Sequence, residues 1–162
     1  MEYIDKNQAL IEYLINCPTI KNNSLFFNFA EEKDNSNQIA THGDDKALDQ
    51  PYVDGSVLRR FTFTMYVYKA VTYNPVVKSE GYVDENVSDV SDIQALIDWV
   101  IEQNENKVFP NFGDSCIIES VEPTTNRPVL NGVNVSTQPP LAQYQILIAI
   151  TYLDTSKMIW NK

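Results

Sequence analysis

Two segments of the chain carry apolar side chains at helical spacing. The first runs from residue 4 to residue 15, and Pro18 is expected to end it because proline does not continue a helix. The second lies within residues 80–105. The apolar positions are Leu10, Ile11, Leu14 and Ile15 in the first segment, and Val90, Ile93, Leu96, Ile97, Val100 and Ile101 in the second. Residues three or four positions apart share one face of a helix, so the sequence predicts two principal helices.

Other segments alternate between apolar and polar positions, as strands do. The clearest is 60–68, where Phe61, Phe63, Met65 and Val67 alternate with arginine, threonine and tyrosine. Shorter strands are predicted at 25–30 and 115–121. The last predicted strand, 141–153, is largely apolar on both faces, which is typical of a central strand.

Two polar stretches interrupt this pattern and are predicted to be long loops. Residues 31–55 are rich in acids and amides, and only 38–41 suggest a short strand. Residues 122–140 are rich in proline, asparagine and threonine. Loops of this length inside one domain are usually functional or ordered by a partner.

These elements predict a single α+β domain over residues 1–162. We expect a mostly antiparallel sheet of about four or five strands, with two main helices packed on it and two long loops. The strands 115–121 and 141–153 are expected to form an antiparallel hairpin with an extended tip.

The charge of the chain excludes some partners. Its 162 residues include 22 acids and 12 bases, for a net charge of -10. Such a chain does not wrap DNA by neutralising phosphates, and it is not expected to dock on an anionic membrane. The acidity is concentrated: residues 31–55 hold seven acids and two bases, and residues 80–105 hold eight acids and no base.

Residues for catalysis or metal binding are scarce. Cys17, Cys116 and the one histidine, His42, supply fewer ligands than a structural zinc site needs. No nucleophile elbow, phosphate-binding loop or dinucleotide motif is present. The acidic pair Asp44 and Asp45 is expected to be solvated surface. We therefore predict no enzyme activity, no metal and no cofactor.

Targeting signals are also missing from the sequence. The first ten residues lack the basic and apolar regions of a secretory signal, and no apolar stretch approaches the roughly 20 residues that span a bilayer. We expect a soluble chain made in the cytosol, with two reduced thiols.

Several short motifs together resemble one protein family. The segment 52–56, Tyr-Val-Asp-Gly-Ser, is followed by Arg60-Phe61-x-Phe63; residues 98–103 read Asp-Trp-Val-Ile-Glu-Gln; Phe109-Pro110 follows; and Ala142-x-Tyr144-Gln145-Ile146 lies near the end. In this order and spacing they resemble the small tail-completion proteins of long-tailed bacteriophages of Gram-positive bacteria, the tail terminators, often labelled minor capsid proteins. The chain departs from that pattern in Gln143, where the family has arginine, and in its more acidic second helix.

The resemblance implies a structural role. Tail terminators form a hexameric ring on the head-proximal end of the tail tube, which ends tube polymerisation and provides the surface for head–tail joining. The implied partners are further copies of the chain, the tail tube protein and a head-completion protein. DNA passes through the lumen without specific binding, and the implied location is the virion, after assembly in the host cytoplasm.

Two alternatives remain open from the sequence. One is a head-completion or connector protein on the portal side, and the other is a small cytosolic enzyme or ligand-binding domain, which would need a pocket containing His42 and acids.

Candidate contact residues are the scarce arginines and polar residues of the two predicted long loops. Only three arginines are present, so the pair Arg59 and Arg60 is either a docking pair or the solvated start of a strand. The full set of candidate interface residues is Arg59, Arg60, Asp44, Asp45, Asn131 and Asn134. The motif residues expected to act in packing are Asp54, Gly55, Phe61, Phe63, Trp99 and Tyr144.

Overall fold

The computed structural model describes residues 5–21, 23–28, 32–71 and 85–159, with backbone only for residues 41, 43, 44, 85, 86 and 88. Three helices and six strands lie within these ranges. In chain order they are α1 (Lys6–Leu14), α2 (Pro18–Lys21), β1 (Ser24–Phe27), β2 (Ser36–Ala47), β3 (Val57–Ala70), α3 (Glu85–Glu105), β4 (Cys116–Pro123), β5 (Val129–Asn134) and β6 (Leu141–Asp154).

All six strands belong to one sheet. Its order is β1-β2-β3-β6-β4, with β5 also paired to β6. The centre is the antiparallel pair of β3 and β6, which are bonded along their full 14 residues. On the other side of β6, β4 pairs with residues 148–154 and β5 with residues 141–145. The sheet is therefore built from two long hairpins, β2–β3 and β4/β5–β6.

The predicted fold class is wrong. The sheet has six strands within the described residues, where four or five were expected, and it is mixed because β1 runs parallel to β2 at one edge. There are three helices in the described residues, and Pro18 begins α2 where it was expected only to end a helix. Proline fits the first turn of a helix because the amide it lacks would have no partner there.

The two predicted long loops are also largely strand. The first contains β2, of 12 residues, and the second contains β5. Their sequences lack apolar alternation because few of their side chains enter the core. Among the side chains of β2 that the structure describes, Ser36, Asn37 and Ile39 are the buried ones, and every residue of β5 is exposed. Pairing along the backbone of β3 and β6, which carry the apolar pattern, makes these segments strands.

Several local predictions are confirmed. The first helix, the α3 stripe, and the strands at β1, β3, β4 and β6 overlap the segments that the pattern placed there. Residues 4, 29, 30 and 80–84 of those predicted segments lie outside the described residues. The antiparallel pairing of β4 with β6 and the central position of β6 are also confirmed.

The hydrophobic core lies on one face of the sheet, which we call the covered face. Helices α1 and α3 pack there against the side chains of β3 and β6 that point the same way. Tyr13 of α1 meets Trp99 of α3 with ring centroids 5.1 Å apart. The fully buried side chains include Leu10, Leu14, Ile39, Phe63, Met65, Leu96, Ile97, Val100, Ile146, Ile148, Ile150 and Tyr152.

The opposite, polar face carries hydroxyl and amide side chains. Thr62, Thr64, Tyr66 and Gln145 point this way because successive residues of a strand alternate between faces. The buried side chains of the three described helices belong to the core on the covered face, so none of these helices packs on the polar face. Among the described residues, no helix is long and apolar enough to cross a membrane.

Candidate functional site

His42 lies on β2 at an irregularity of the β2–β3 pairing. Thr41 pairs with Phe63 and Asp45 with Phe61, so three residues of β2 face one residue of β3. The bulge brings the His42 ring to the polar face, where Nε2 lies 2.5 Å from the Thr64 hydroxyl and Nδ1 lies 3.3 Å from the Thr62 hydroxyl. Within the described ranges no three histidine, cysteine or acidic side chains come together to hold a metal ion.

Asp45, a predicted interface residue, is bound within its own chain. Its carboxylate lies 2.7 Å from Lys6 Nζ and accepts a 2.5 Å hydrogen bond from the Tyr152 hydroxyl, which also accepts from Lys6. Burial, and next the hydrogen bond and charge of Asp45, raise the pKa of the Tyr152 phenol above its usual value. This Lys6–Asp45–Tyr152 cluster ties the start of α1 to two strands. The side chain of Asp44 lies outside the described residues.

The two candidate arginines point to opposite faces of β3. Arg59 pairs with Tyr152 on the covered face, and its Nε lies 3.0 Å from an oxygen of Asp154. Arg60 pairs with Thr151 on the polar face and is exposed. A partner that lies against one face of the sheet therefore does not contact both guanidinium groups.

The two candidate asparagines lie on β5. The amide of Asn131 donates to the side-chain oxygen of Gln143. Asn134 donates to Glu32 at 3.2 Å, and its side-chain oxygen accepts from the amide and hydroxyl of Ser136 at 3.0 and 2.6 Å. Asn134 thus stabilises the turn that leads to β6.

The motif Asp54-Gly55-Ser56 forms a tight turn at the tip of the first hairpin. Asp54 Oδ1 accepts from the hydroxyl of Ser56 at 2.6 Å and from its amide at 2.9 Å. The hydrogen bond from the Ser56 hydroxyl, and next the one from the Ser56 amide, hold the pKa of Asp54 below its usual value. Gly55 has a φ of +91°, and a Cβ there would lie 2.3 Å from the carbonyl oxygen of Lys157. Only glycine fits this position without strain.

The other motif residues lie in or against the core. Phe63 is fully buried and Phe61 nearly so. Trp99 and Tyr144 are partly buried and pack against the core, from α3 and β6 respectively. The structure therefore places Phe61, Phe63, Trp99 and Tyr144 at packing positions, and Asp54 and Gly55 in one turn.

The two free thiols and the buried lysine Lys69 lie outside the clusters described above. Cys17 is buried, Cys116 is partly buried, and both are free. Lys69 is 7% exposed, donates to Asn35 at 2.6 Å, and lines a cavity of about 290 Å³ beside α2 and α3. His42 does not line this cavity.

Two exposed apolar patches stand out on the surface. The first, the tip patch, consists of Leu48, Tyr52 and Val53 at the β2–β3 turn, and Val53 is fully exposed. The second, the β5 patch, consists of Leu130 and Val133, which are 54% and 44% exposed and pair with Tyr144 and Ala142 on the covered face. Scattered apolar side chains are ordinary on a protein surface, but apolar groups clustered on hairpin ends mark contacts with other proteins.

Neither patch was predicted from the sequence, because both lie in segments that were interpreted as polar loops. The Tyr52-Val53 pair before Asp-Gly was a usable signal: two apolar residues directly before a turn have no core to enter. For β5, the signal was Leu130 and Val133 in a segment without any acid.

Comparisons with known proteins found no match: no family model, no curated protein and no solved structure resembles this chain at a significant level.

Proposed function

We propose that this chain is the subunit of a phage tail terminator, a hexameric ring that caps the head-proximal end of the tail tube. The observation that carries the proposal is the pair of different apolar patches on the two hairpins of one sheet. A ring needs heterologous contacts, in which one surface of a subunit meets a different surface of its neighbour. Two unlike patches suit that requirement.

The positions of the motif residues support the proposal. Asp54 and Gly55 fix the turn that holds the tip patch, while Phe63 and Trp99 pack in and against the core. These motif residues thus stabilise the fold of the chain. A role in assembly depends on that fold, because the fold fixes the surfaces through which subunits meet.

The distribution of charge also supports it. On α3, the side chains of Asp92, Asp98, Glu102 and Glu105 are exposed. A conduit for DNA benefits from acidic walls because phosphates slide past them without binding. In the proposed ring these acids face the lumen, solvent or a basic partner surface, away from the contacts between subunits.

The enzyme alternative lacks a supporting arrangement in the described residues. Among the side chains that the structure describes, the ring of His42 contacts two threonine hydroxyls. A general base of the serine-hydrolase kind is oriented by an acid that holds its second nitrogen.

Deletion of the gene from its phage tests the proposal directly. We expect lysates with overlong or unsealed tails in electron micrographs, and restoration of normal tails when the chain is supplied from a plasmid. A tagged chain should label the head-proximal tail end. Normal tails lying apart from finished heads would instead identify a head-completion protein, and normal joined particles would exclude both roles.

A further inference from the structure

We infer that the cavity beside α2 and α3 binds a free α-amino acid with an apolar side chain. The cavity has a volume of about 290 Å³ and is lined by residues of both helices and of strands β2 and β3. A cavity of roughly 150 Å³ already holds a benzene molecule, so this one has room for a ligand of amino-acid size. Such a site is independent of the proposed ring and adds a binding function to it.

Lys69, which lines the cavity, is a cation at a position where β3 otherwise carries apolar side chains. Met65, Val67 and Lys69 are alternate residues of this strand and point to the covered face. Lys69 is 7% exposed, and its ammonium donates to Oδ1 of Asn35 at 2.6 Å. Among the described residues, no carboxylate forms an ion pair with it. Burial of a cation is costly unless a negative group lies against it, so an anion in the cavity would stabilise Lys69.

Two asparagine side chains of the cavity have oxygen atoms to offer a ligand. Asn37 is 4% exposed and donates through its amide nitrogen to the backbone carbonyls of Ser24 at 3.2 Å and Asn35 at 3.5 Å. Asn23 donates to the Thr19 carbonyl at 2.6 Å. Because a carbonyl group only accepts, these bonds fix the orientation of both amides. No group of the described residues donates to either Oδ1 atom, which leaves two acceptors for N–H groups of a ligand.

The rest of the lining combines an exposed acid with a buried apolar wall. Asp92 of α3 is exposed and lines the cavity where it opens to the surface. Ile93 and Leu96 of the same helix are each 2% exposed, and they line the interior together with Val67. The site therefore combines one cation, several oxygen acceptors and an apolar surface, as ligand sites with a few placed polar groups do.

A zwitterion fits this set of groups better than either single charge. A simple carboxylate would meet Lys69 but would also lie near the negative charges of Asp92 and of Asp34, which accepts from the amide of Ala70 at 2.8 Å. A simple amine would meet the oxygens and leave Lys69 without an anion. In an α-amino acid the carboxylate pairs with Lys69, the ammonium donates to the asparagine oxygens and to Asp92, and the side chain packs on the apolar wall.

Calorimetry and ligand-observed NMR on the full chain test the site. L-leucine, L-methionine and L-phenylalanine are the probes, and we expect at least one of them to bind. Glycine, which lacks the apolar side chain, should bind at least tenfold more weakly than the best of the three. For leucine the matched analogues are isocaproate, which lacks the ammonium, and isoamylamine, which lacks the carboxylate. Each of these should also bind at least tenfold more weakly than leucine.

Two substitutions each remove one charge from the site. Lys69→Met replaces the ammonium by an apolar group of similar length and should weaken amino-acid binding at least tenfold, while isoamylamine binding stays unchanged. Asp92→Asn, at an exposed position, should reduce the preference for leucine over isocaproate. The controls are Lys157→Met and Asp98→Asn, which change exposed residues outside the lining and should leave binding unchanged.

Several results would overturn this assignment. Absence of binding by all three amino acids does so, and so does binding of isocaproate as tight as that of leucine. Amino-acid binding that survives Lys69→Met also overturns it, since the lysine would then act only in holding Asn35. If circular dichroism shows that Lys69→Met does not fold, Asp92→Asn and the analogue series decide the question. The terminator role is tested separately by the deletion phage, and neither result determines the other.

Discussion

The two faces of the sheet consist of alternate residues of the same strands, but different interactions hold their side chains. On β3, Phe63 and Met65 point to the covered face and are fully buried, while Thr64 and Tyr66 point to the polar face. The covered face is held by apolar packing against α1 and α3. The polar face carries hydrogen bonds between side chains, such as those of His42 with two threonines. Stability should therefore depend mainly on one face, which leaves the other free to vary with function.

The largest expected effect tests this contrast on two aromatic side chains of β3. Phe63→Ala removes a fully buried ring and leaves a cavity, so it should lower the free energy of unfolding by about 3–5 kcal/mol. Tyr66→Ala, on the polar face and only half-buried, should cost no more than about 2 kcal/mol. Urea unfolding followed by tryptophan fluorescence measures both. Equal losses would show that the polar face also carries a packed layer.

A second prediction concerns the Lys6–Asp45–Tyr152 cluster, where the covered face contains polar groups. Tyr152→Phe removes two hydrogen bonds and should cost about 1–2 kcal/mol at neutral pH. The pKa of Tyr152 is raised in the folded state, so its stabilising contribution is complete below the unfolded pKa of about 10. Above that pH the unfolded chain loses the phenolic proton first, and stability falls as pH rises.

The pH dependence gives the measurement. Above pH 10, the wild-type chain should lose up to about 1.4 kcal/mol per pH unit more than Tyr152→Phe does, which corresponds to one proton. Tyr66→Phe is the control for the loss of a phenol outside the cluster. Identical alkaline slopes for wild type and Tyr152→Phe would contradict the assigned role of Tyr152.

The smallest expected effects come from the two arginines, one on each face. Arg59→Ala breaks a partly buried ion pair with Asp154 and should cost about 1 kcal/mol. Arg60→Ala should change the free energy of unfolding by no more than about 0.5 kcal/mol. If Arg60 docks a partner, its substitution weakens assembly without affecting the fold. Thermal unfolding and a sedimentation assay of assembly distinguish these effects, and normal assembly of the double variant would reject the docking role.

The helices and strands whose side chains enter the core are the ones that the sequence pattern predicts correctly. Leu10, Leu14, Ile97 and Val100 enter the core, so their spacing predicted α1 and α3 correctly. The same holds for the alternation on β3. In β2 and β5 the side chains are mostly outside the core, and the strands exist because of backbone pairing with β3 and β6. Composition predicts such a segment poorly, since hydrogen bonds between backbones place few demands on side chains.

The candidate contact surfaces also include features that the local sequence indicates and features that arise only in the assembled sheet. The Asp-Gly turn was recognisable because a positive φ favours glycine, and Gly55 has such a φ. The tip patch beside this turn and the β5 patch at the other end of the sheet were not predicted, because exposure is a property of the assembled sheet. The pairing of Asp45 with Lys6 and Tyr152 joins residues far apart in sequence, and no local pattern indicates it.

By itself, the sequence determined which strands form the centre of the sheet, which helices pack on it and where the acidity is concentrated. Those features depend on burial and on charge, and both are reflected directly in the spacing of apolar residues and in the composition of the chain. Only the tertiary structure decided that the two polar stretches are strands and that β1 runs parallel to β2. It also decided that Arg59 and Arg60 face opposite sides, and that unlike apolar patches lie at the two ends of the sheet. These features arise from pairing between distant segments, where register and strand direction determine which side chains meet.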